Sequence, residues 1–550
     1  MIQKRPWLFL LLLSLVVRLL AAWPMQHPGY MDACYYYDGA EALYRGLGFN
    51  EEFLWNYLDD PQGIPHPSHL YWPPLSSILA YLSFLVFGPS YRAAQLPFIL
   101  LSAVLPLITY YVSCQVSPNR RHAIAAALFT IFSGFYTIYW ASPDSFAPFA
   151  VTASLSLVAM ARGLRGDSLW WFALAGALAG LSHLARADGV LLLAVLPVAL
   201  SSPSAPFGLG GRVRASRGLK LTPMPSAPSR PFLGTTRLCS LVQALLLTIA
   251  GYALVMSPWF YRNWLAVGTP LPGAGIQTLF LRHYDEIFSY GRELNWQHYL
   301  SWGWGAIVQS KMQAIGLNLV RLVAENMLIF LAPFILIGLG LLRRRLEYLP
   351  FFIYAPLLYL AMTLAFTFPG VRGGLFHSGG ALLPFLFAAA MPGLDTAIAW
   401  VARRRSHWDI SLAQTMFTIG FVALAVFLSV FIYVRGVFGS QILSPAWNQR
   451  DQVYADIAAW LDENTSPEAR VMVGNPPGFY YFSHRPSLVV PNEDMDTVLE
   501  ACDRYSVKFV ILDQNRPRPL REIYSGEASH PRLLLRQTFG PVRLFEVMPE

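Results

Sequence analysis

The sequence predicts an α-helical polytopic membrane protein with a small soluble α/β domain at its C-terminus. Three observations carry that reading. The 550-residue chain is 55% hydrophobic and 13% charged, with a mean hydropathy of +0.42, whereas a soluble domain carries about 25% charged residues. Its apolar residues form successive runs near the length of a bilayer crossing, roughly 20 residues. Its charge is also uneven: from Gln441 onward lie 15 of the 32 acidic and 11 of the 40 basic residues, a net −4 against +12 for the rest. These figures exclude a single soluble globule, a disordered chain and a nucleic-acid-binding module. The overall +8 sits in short clusters between apolar runs, which is a membrane pattern and not a nucleic-acid footprint.

The first run, 7–23, follows Lys4 and Arg5 and reads as a retained signal-anchor with a cytoplasmic N-terminus. Further runs lie near 74–88, 92–113, 123–141, 146–161, 168–184, 187–201, 238–257, 321–342, 349–368, 379–400 and 412–434. The run 74–88 is short and opens on Pro73-Pro74. If it does not cross, Arg120-Arg121, Arg162/Arg165, the loop from Arg212 to Arg237, Arg343–Arg345 and Arg403–Arg405 all fall on the cytoplasmic side. If it crosses, all five flip outward. Residues 74–88 are therefore read as an interfacial or re-entrant helix, leaving about 11 spans.

That topology places 24–91, 258–320 and the tail outside the cytoplasm, with a domain boundary near 440/441. Residues 201–237, rich in Ser, Pro and Arg, read as a flexible cytoplasmic loop. In the tail, 451–463 and 495–505 predict helices, and 470–473, 487–490 and 508–512 predict strands. Gly474–Gly478 reads as a turn and not as a phosphate loop. The four cysteines, Cys34, Cys114, Cys239 and Cys502, lack metal-ligand spacing and read as free thiols, with a Cys34–Cys502 disulfide as the alternative.

The suggestive polar residues lie at span ends on the outer side. Asp32 stands among Tyr30, Tyr35, Tyr36 and Tyr37, where partial desolvation raises a carboxylate's basicity; an interfacial helix cap, with the tyrosines as an aromatic belt, is the plainer role. Asp144 occupies the short loop Ala141–Ser145, again with capping as the plainer role. Arg186 and Asp188 sit between two apolar runs, where an interfacial ion pair would account for them. Arg262 follows Trp259 and Tyr261, and Arg372 with His377 flanks a glycine pair; both places suit an anionic headgroup. Two acids and several cations around one membrane face suit group transfer from a lipid phosphate to an acceptor hydroxyl, the acid deprotonating the hydroxyl and the cations receiving the phosphate.

The order of these motifs resembles the GT-C polytopic glycosyltransferases, in particular the protein O-mannosyltransferase and aminoarabinose-transferase group, over roughly the first 440 residues. Asp32, Tyr35, Tyr36, Ala40 and Gly46 match that family's first outer loop, with Ala33 where Glu is usual. Trp72-Pro73-Pro74-Leu75 stands for its His-Pro-Pro-Leu, and Phe87-Gly88 follows. Asp144, Arg186-Ala187-Asp188-Gly189 and Pro258 to Asn263 match further signatures, and His377 stands where many relatives carry an Arg-Tyr pair.

The resemblance implies an inverting transfer from a polyprenyl-phosphate sugar to a protein, lipid or glycan acceptor. Asp32 would be the base and Asp144 an auxiliary acid. Arg262, Arg372, Arg186 and His377 would serve the donor phosphate, and Tyr35, Tyr36, Trp72 and Asp188 would position substrate. It implies no cofactor and no metal, with a divalent ion between Asp32 and Asp144 left as an alternative. It also implies a plasma-membrane protein with its tail outside. The rival reading is a transporter or lipid flippase, which usually shows internal repeats and mid-span charges that this sequence lacks.

Overall fold

Apolar runs become helices here only until a capping group, a left-handed residue or a glycine turns the backbone, and those interruptions shape the site. The structure, a computed structural model, describes residues 5–201, 237–405, 408–441 and 443–549; the loop expected between Arg212 and Arg237 falls largely outside them. Helices of eight residues or more are α1 Pro6–Ala22, α2 Met31–Tyr44, α3 Leu75–Phe87, α4 Tyr91–Val116, α5 Arg120–Ile131, α6 Phe146–Leu164, α7 Trp170–Ala185, α8 Leu192–Ser201 and α9 Arg237–Val267. They continue with α10 Trp304–Arg321, α11 Ala332–Leu342, α12 Leu349–Leu360, α13 Leu383–Ala402 and α14 Ile410–Tyr433, then α15 Gln452–Asn464, α16 Pro476–Ser483 and α17 Met495–Tyr505.

Among the described residues six helical stretches are long and apolar enough to cross a membrane, and five shorter apolar helices accompany them. The chain is a multi-pass membrane protein. Helix α3, at 13 residues, is about 20 Å long and short of a bilayer core about 30 Å thick.

Three sequence-derived boundaries need correction. The run 123–141 is not one helix. α5 stops at Ile131, where Arg18 of α1, 0% exposed, donates from Nη1 to the Ile131 carbonyl (2.9 Å) and from Nη2 to the Thr130 carbonyl (3.2 Å). A guanidinium thus satisfies carbonyls that the missing next turn leaves open. Gly134 then adopts φ +61° and donates its N–H to Ser429 Oγ at 2.9 Å.

The run 321–342 is also broken. It passes through a π-turn at Leu322–Asn326, and Leu328 and Ile329 take φ of +51° and +58° before α11 begins. Finally, 258–320 is not a plain loop, because α9 continues through Pro258 to Val267 and α10 supplies residues 304–321.

Close helix contacts rest on missing side chains, as membrane packing favours. A Cβ on Gly338 of α11 would lie 1.8 Å from the Ala389 carbonyl oxygen of α13, and one on Gly393 of α13 would lie 1.8 Å from that of Phe334. Gly393→Ala is therefore expected to lower the thermal midpoint of the detergent-solubilised protein, by about 1–3 kcal/mol of overpacking strain. An unchanged midpoint would show that these two helices separate freely.

The tail builds most of a six-stranded sheet. Its strands, with the short pieces of the first segment, are β1 Asn50–Glu51, β2 Phe53–Leu54, β3 His66–Pro67, β4 Arg470–Val473, β5 Ser487–Val489, β6 Val507–Leu512, β7 Leu533–Phe539 and β8 Val542–Val547. The sheet order is β2-β5-β4-β6-β8-β7, parallel through β6 and antiparallel after it. Alternation along β4 sends Met472 to one face with Val498 and Cys502 of α17, and Val471 and Val473 to the other with Ile457 and Leu461 of α15.

The edge strand comes from the first segment, with Phe53 opposite Ser487 and Leu54 opposite Leu488. Leu54, Tyr57 and Ile64 join the core on the α17 face. The tail is therefore not closed on itself at residue 441. Gly474–Gly478 is the entry to α16, with the Asn475 side chain accepting the Gly478 N–H at 3.1 Å. Cys34, Cys114 and Cys502 are free thiols.

Candidate active site

Asp32 lies in the first turn of α2, where the helix N-terminus favours a carboxylate. Asp144, fully buried, ends the loop that follows the early stop of α5 and leads directly into α6. Its Oδ1 accepts the Ser145 backbone N–H and, at 3.1 Å, the Ser145 hydroxyl; its Oδ2 accepts from Tyr30 Oη at 2.9 Å. His377 comes from the short helix Leu375–Gly379 and stacks on Phe146 with ring centroids 3.8 Å apart. Ligand atoms of Asp32, Asp144 and His377 all lie within 4.8 Å of one another.

The cations approach from two other elements. Arg186, at the extended residue ending α7, donates from Nε to Asp188 Oδ1 (3.0 Å) and Ser378 Oγ (2.9 Å), and from Nη1 toward Ser145 Oγ (3.4 Å). Ser378 in turn donates to Asp188 Oδ2. Arg372 stands 5.3 Å over the ring of Tyr284 and is one of two guanidinium groups whose charge reaches Asp32.

Burial pushes the Asp32 carboxyl up to about 7 and the nearby Asp144 charge adds to the rise, while Arg186 and Arg372 oppose it. Burial also raises Asp144, against the Ser145 N–H, the Tyr30 hydroxyl and Arg186. The two acids titrate as a pair. Burial and both carboxylates hold the Tyr30 hydroxyl well above its ordinary value, so it stays a donor. This arrangement can keep one acid ionised beside a second poised near neutrality.

The structure thus gathers Asp32, Asp144, Arg186, Asp188, His377 and Arg372, which the sequence had left at separate span ends. The Arg186–Asp188 ion pair expected from sequence forms, whereas no side chain caps α6: Asp144 bonds the N–H of Ser145, the residue before the helix, and none in its first turn. Tyr36 is buried within reach of the charges on Asp144, Arg186 and Asp32.

Other candidates lie elsewhere. Arg262 faces Trp259 at 4.8 Å and Phe49 at 5.5 Å, and bonds Asn263 Oδ1 and the Phe49 carbonyl. Tyr35 is buried, accepting the His69 N–H at 2.8 Å, and Trp72 stacks on Trp55 at 4.0 Å. These three brace the first segment. Ser378 and Tyr284 were not singled out from sequence, nor was the hydrogen bond joining Tyr30 to Asp144 across 114 residues. Only the aromatic string around Asp32 hinted at Tyr30.

The three donors Asp32, Asp144 and His377 are of a kind that can hold a divalent cation; the sequence left Asp32 and Asp144 as an alternative pair of ion ligands, and the structure adds His377 to them. Two of the Asp144 bonds already come from Tyr30 and Ser145.

Residues 71–207 match a family described as dolichyl-phosphate-mannose-protein mannosyltransferase. No curated protein matches the chain by sequence. Among solved structures, apo ArnT from Cupriavidus metallidurans aligns over 98% of both chains at 12% identity, with a TM-score of 0.56. The same enzyme bound to undecaprenyl phosphate aligns over 99% of this chain and 98% of that one, at 12% identity and a TM-score of 0.54. The oligosaccharyltransferase AglB from Archaeoglobus fulgidus, in complex with an inhibitory peptide and a dolichol-phosphate, aligns over 95% of this chain and 71% of its own at 13% identity, with a TM-score of 0.51. A quarter of the chain thus matches a mannosyltransferase family model, and the whole chain shares the fold of these solved polytopic membrane proteins.

Proposed function

We propose that the protein is an inverting membrane glycosyltransferase, moving a sugar from a polyprenyl-phosphate donor to an acceptor hydroxyl with Asp32 as general base. The observation that supports this most is the pairing of Asp32 and Asp144 within reach of the Arg186 and Arg372 charges. Asp32 takes the acceptor proton as the hydroxyl oxygen bonds to the anomeric carbon, and the bond from that carbon to the phosphate oxygen breaks. Arg372 and Arg186 offset the charge left on the phosphate. The position of Arg262 favours Arg372 for this role. Asp144, fixed by its hydrogen bonds from Tyr30 and Ser145, orients the reacting hydroxyl or sugar. The similar folds solved with undecaprenyl phosphate and with dolichol-phosphate support a lipid-phosphate donor for this chain as well.

Asp144 precedes α6 and Arg162 and Arg165 end it, about 28 Å away for a 19-residue helix. The arginine clusters then mark the cytoplasmic face of a plasma membrane, and the site and tail lie outside. The positive charge comes from arginines, so no step is assigned to a metal.

The test is to incubate the purified protein with a panel of undecaprenyl-phosphate sugars (mannose, glucose, arabinose), with and without EDTA, and follow sugar release or transfer. Turnover of one donor, insensitive to EDTA, is expected. Loss on chelation and recovery with a divalent ion would make Asp32, Asp144 and His377 ligands instead. Transbilayer movement of an intact donor in vesicles, with no product from any sugar, would establish the transporter reading.

A further inference from the structure

The hydrogen-bond inventory around Ser145 fixes which nitrogen of His377 carries a proton. A serine hydroxyl has one proton and two lone pairs. The proton goes to Asp144 Oδ1 at 3.1 Å, because a bond to a carboxylate is charge-assisted and outcompetes one to an imidazole. One lone pair faces Arg186 Nη1 at 3.4 Å, a group that can only donate. The other faces His377 Nδ1 at 3.1 Å. That contact is a hydrogen bond only if Nδ1 holds the proton and donates it.

An imidazole with an ordinary pKa of about 6.5 carries a single ring proton above neutrality, so Nε2 keeps a bare lone pair. The ring cannot turn to hide it, being stacked on Phe146 at an interplanar angle of 21°. Nε2 has no hydrogen-bond partner among the described residues, and it lies toward the turn after Arg372, where a Cβ on Gly373 would stand 3.9 Å from it. The imidazole side chain is 14% exposed.

A bare nitrogen lone pair repels a phosphate oxygen and attracts a hydroxyl proton. We infer that His377 is a specificity-determining residue that presents Nε2 as an acceptor to a substrate hydroxyl, and that it is not the phosphate ligand its sequence position implied. The hydroxyl belongs either to the donor sugar or to the acceptor alcohol. Identifying it as part of a transferring substrate rests on the function proposed above; the state of the ring does not.

Two measurements separate these levels. The first is the ¹⁵N spectrum of histidine-labelled protein in nanodiscs, with the His377 signals assigned by difference against His377→Phe. A protonated Nδ1 and bare Nε2 are expected, with Ser145→Ala mixing the two tautomers; a protonated Nε2 in the unmodified protein overturns the inference whatever the enzyme does.

The second compares the variants with undecaprenyl-phosphate mannose and with undecaprenyl phosphate lacking a sugar. His377→Phe keeps the stack and removes the acceptor. A roughly tenfold weaker affinity for the mannose lipid alone, about one hydrogen bond's worth, assigns the hydroxyl to the donor sugar. Unchanged donor affinity with a raised KM for the alcohol acceptor assigns it to the acceptor. His377→Gln, whose amide oxygen can accept in place of Nε2, should recover most of either loss. Weaker binding of the sugar-free lipid phosphate, or no change in any measurement, refutes the assignment.

Discussion

Asp32→Asn is expected to cut sugar transfer by about 10²–10⁴-fold, the usual contribution of a positioned general base, while donor affinity stays within about threefold. The amide occupies the same volume in the first turn of α2 but cannot take the acceptor proton. The same residue sets the pH dependence. A carboxyl pushed up to about 7 is protonated in mild acid and useless as a base, so kcat/KM of the unmodified enzyme should rise through about pH 7 to a plateau. The acidic limb should be missing from whatever activity the Asn variant retains.

Stability should move the opposite way. A carboxyl whose folded value lies above its unfolded one destabilises the fold increasingly as pH rises from the unfolded value toward the folded one. Removing its charge should therefore raise the melting temperature at neutral pH while turnover is lost. Full activity in the variant would remove Asp32 from the chemistry.

Arg186→Gln is the second large effect. The Arg186 charge opposes the rise of the Asp32 carboxyl more strongly than that of Arg372, and Arg186 also joins Asp188, Ser378 and Ser145. Without its charge Asp32 should ionise only at higher pH, moving the acidic limb of kcat/KM upward. Activity near pH 7 should fall about 100-fold or more, since the departing phosphate loses a counter-charge as well. Arg186→Lys restores charge without the fork that reaches three partners, so its limb should return while its rate stays intermediate. A limb that does not move in the Gln variant would mean that this charge is not felt at Asp32.

How much of this was legible in the chain depends on whether local pattern decides the outcome. The tail helices expected over 451–463 and 495–505 appear as Gln452–Asn464 and Met495–Tyr505, because amphipathic spacing and capping act within a few residues. Strand Phe53–Leu54 left no signal, since two residues become a strand only by pairing with Ser487 and Leu488. The β7–β8 hairpin does carry one, a Gly540-Pro541 turn with Gly540 at φ +56°.

Hydropathy measures composition and not backbone path. It ran straight through the stop after Ile131 and through Leu328 and Ile329, whose left-handed backbone is unusual for branched side chains. In the site, individual polar residues at span ends were readable because charge is costly in lipid. Their partners were not: Tyr30 meets Asp144, and Ser378 meets Asp188, only after helices far apart in sequence have docked.

The borrowed edge strand has a consequence for how the enzyme is made. Residues 53–54 emerge from the ribosome long before residues 487–488, so the segment just after α2 waits, unpaired, through the insertion of nearly every span. A nascent chain halted before residue 487 holds Asp32 and Asp144 in place along its length but lacks the strand that anchors the segment after α2. Competence would then arrive as a late event of biosynthesis, after the last crossing, and a half-built chain would lack the finished outer segment.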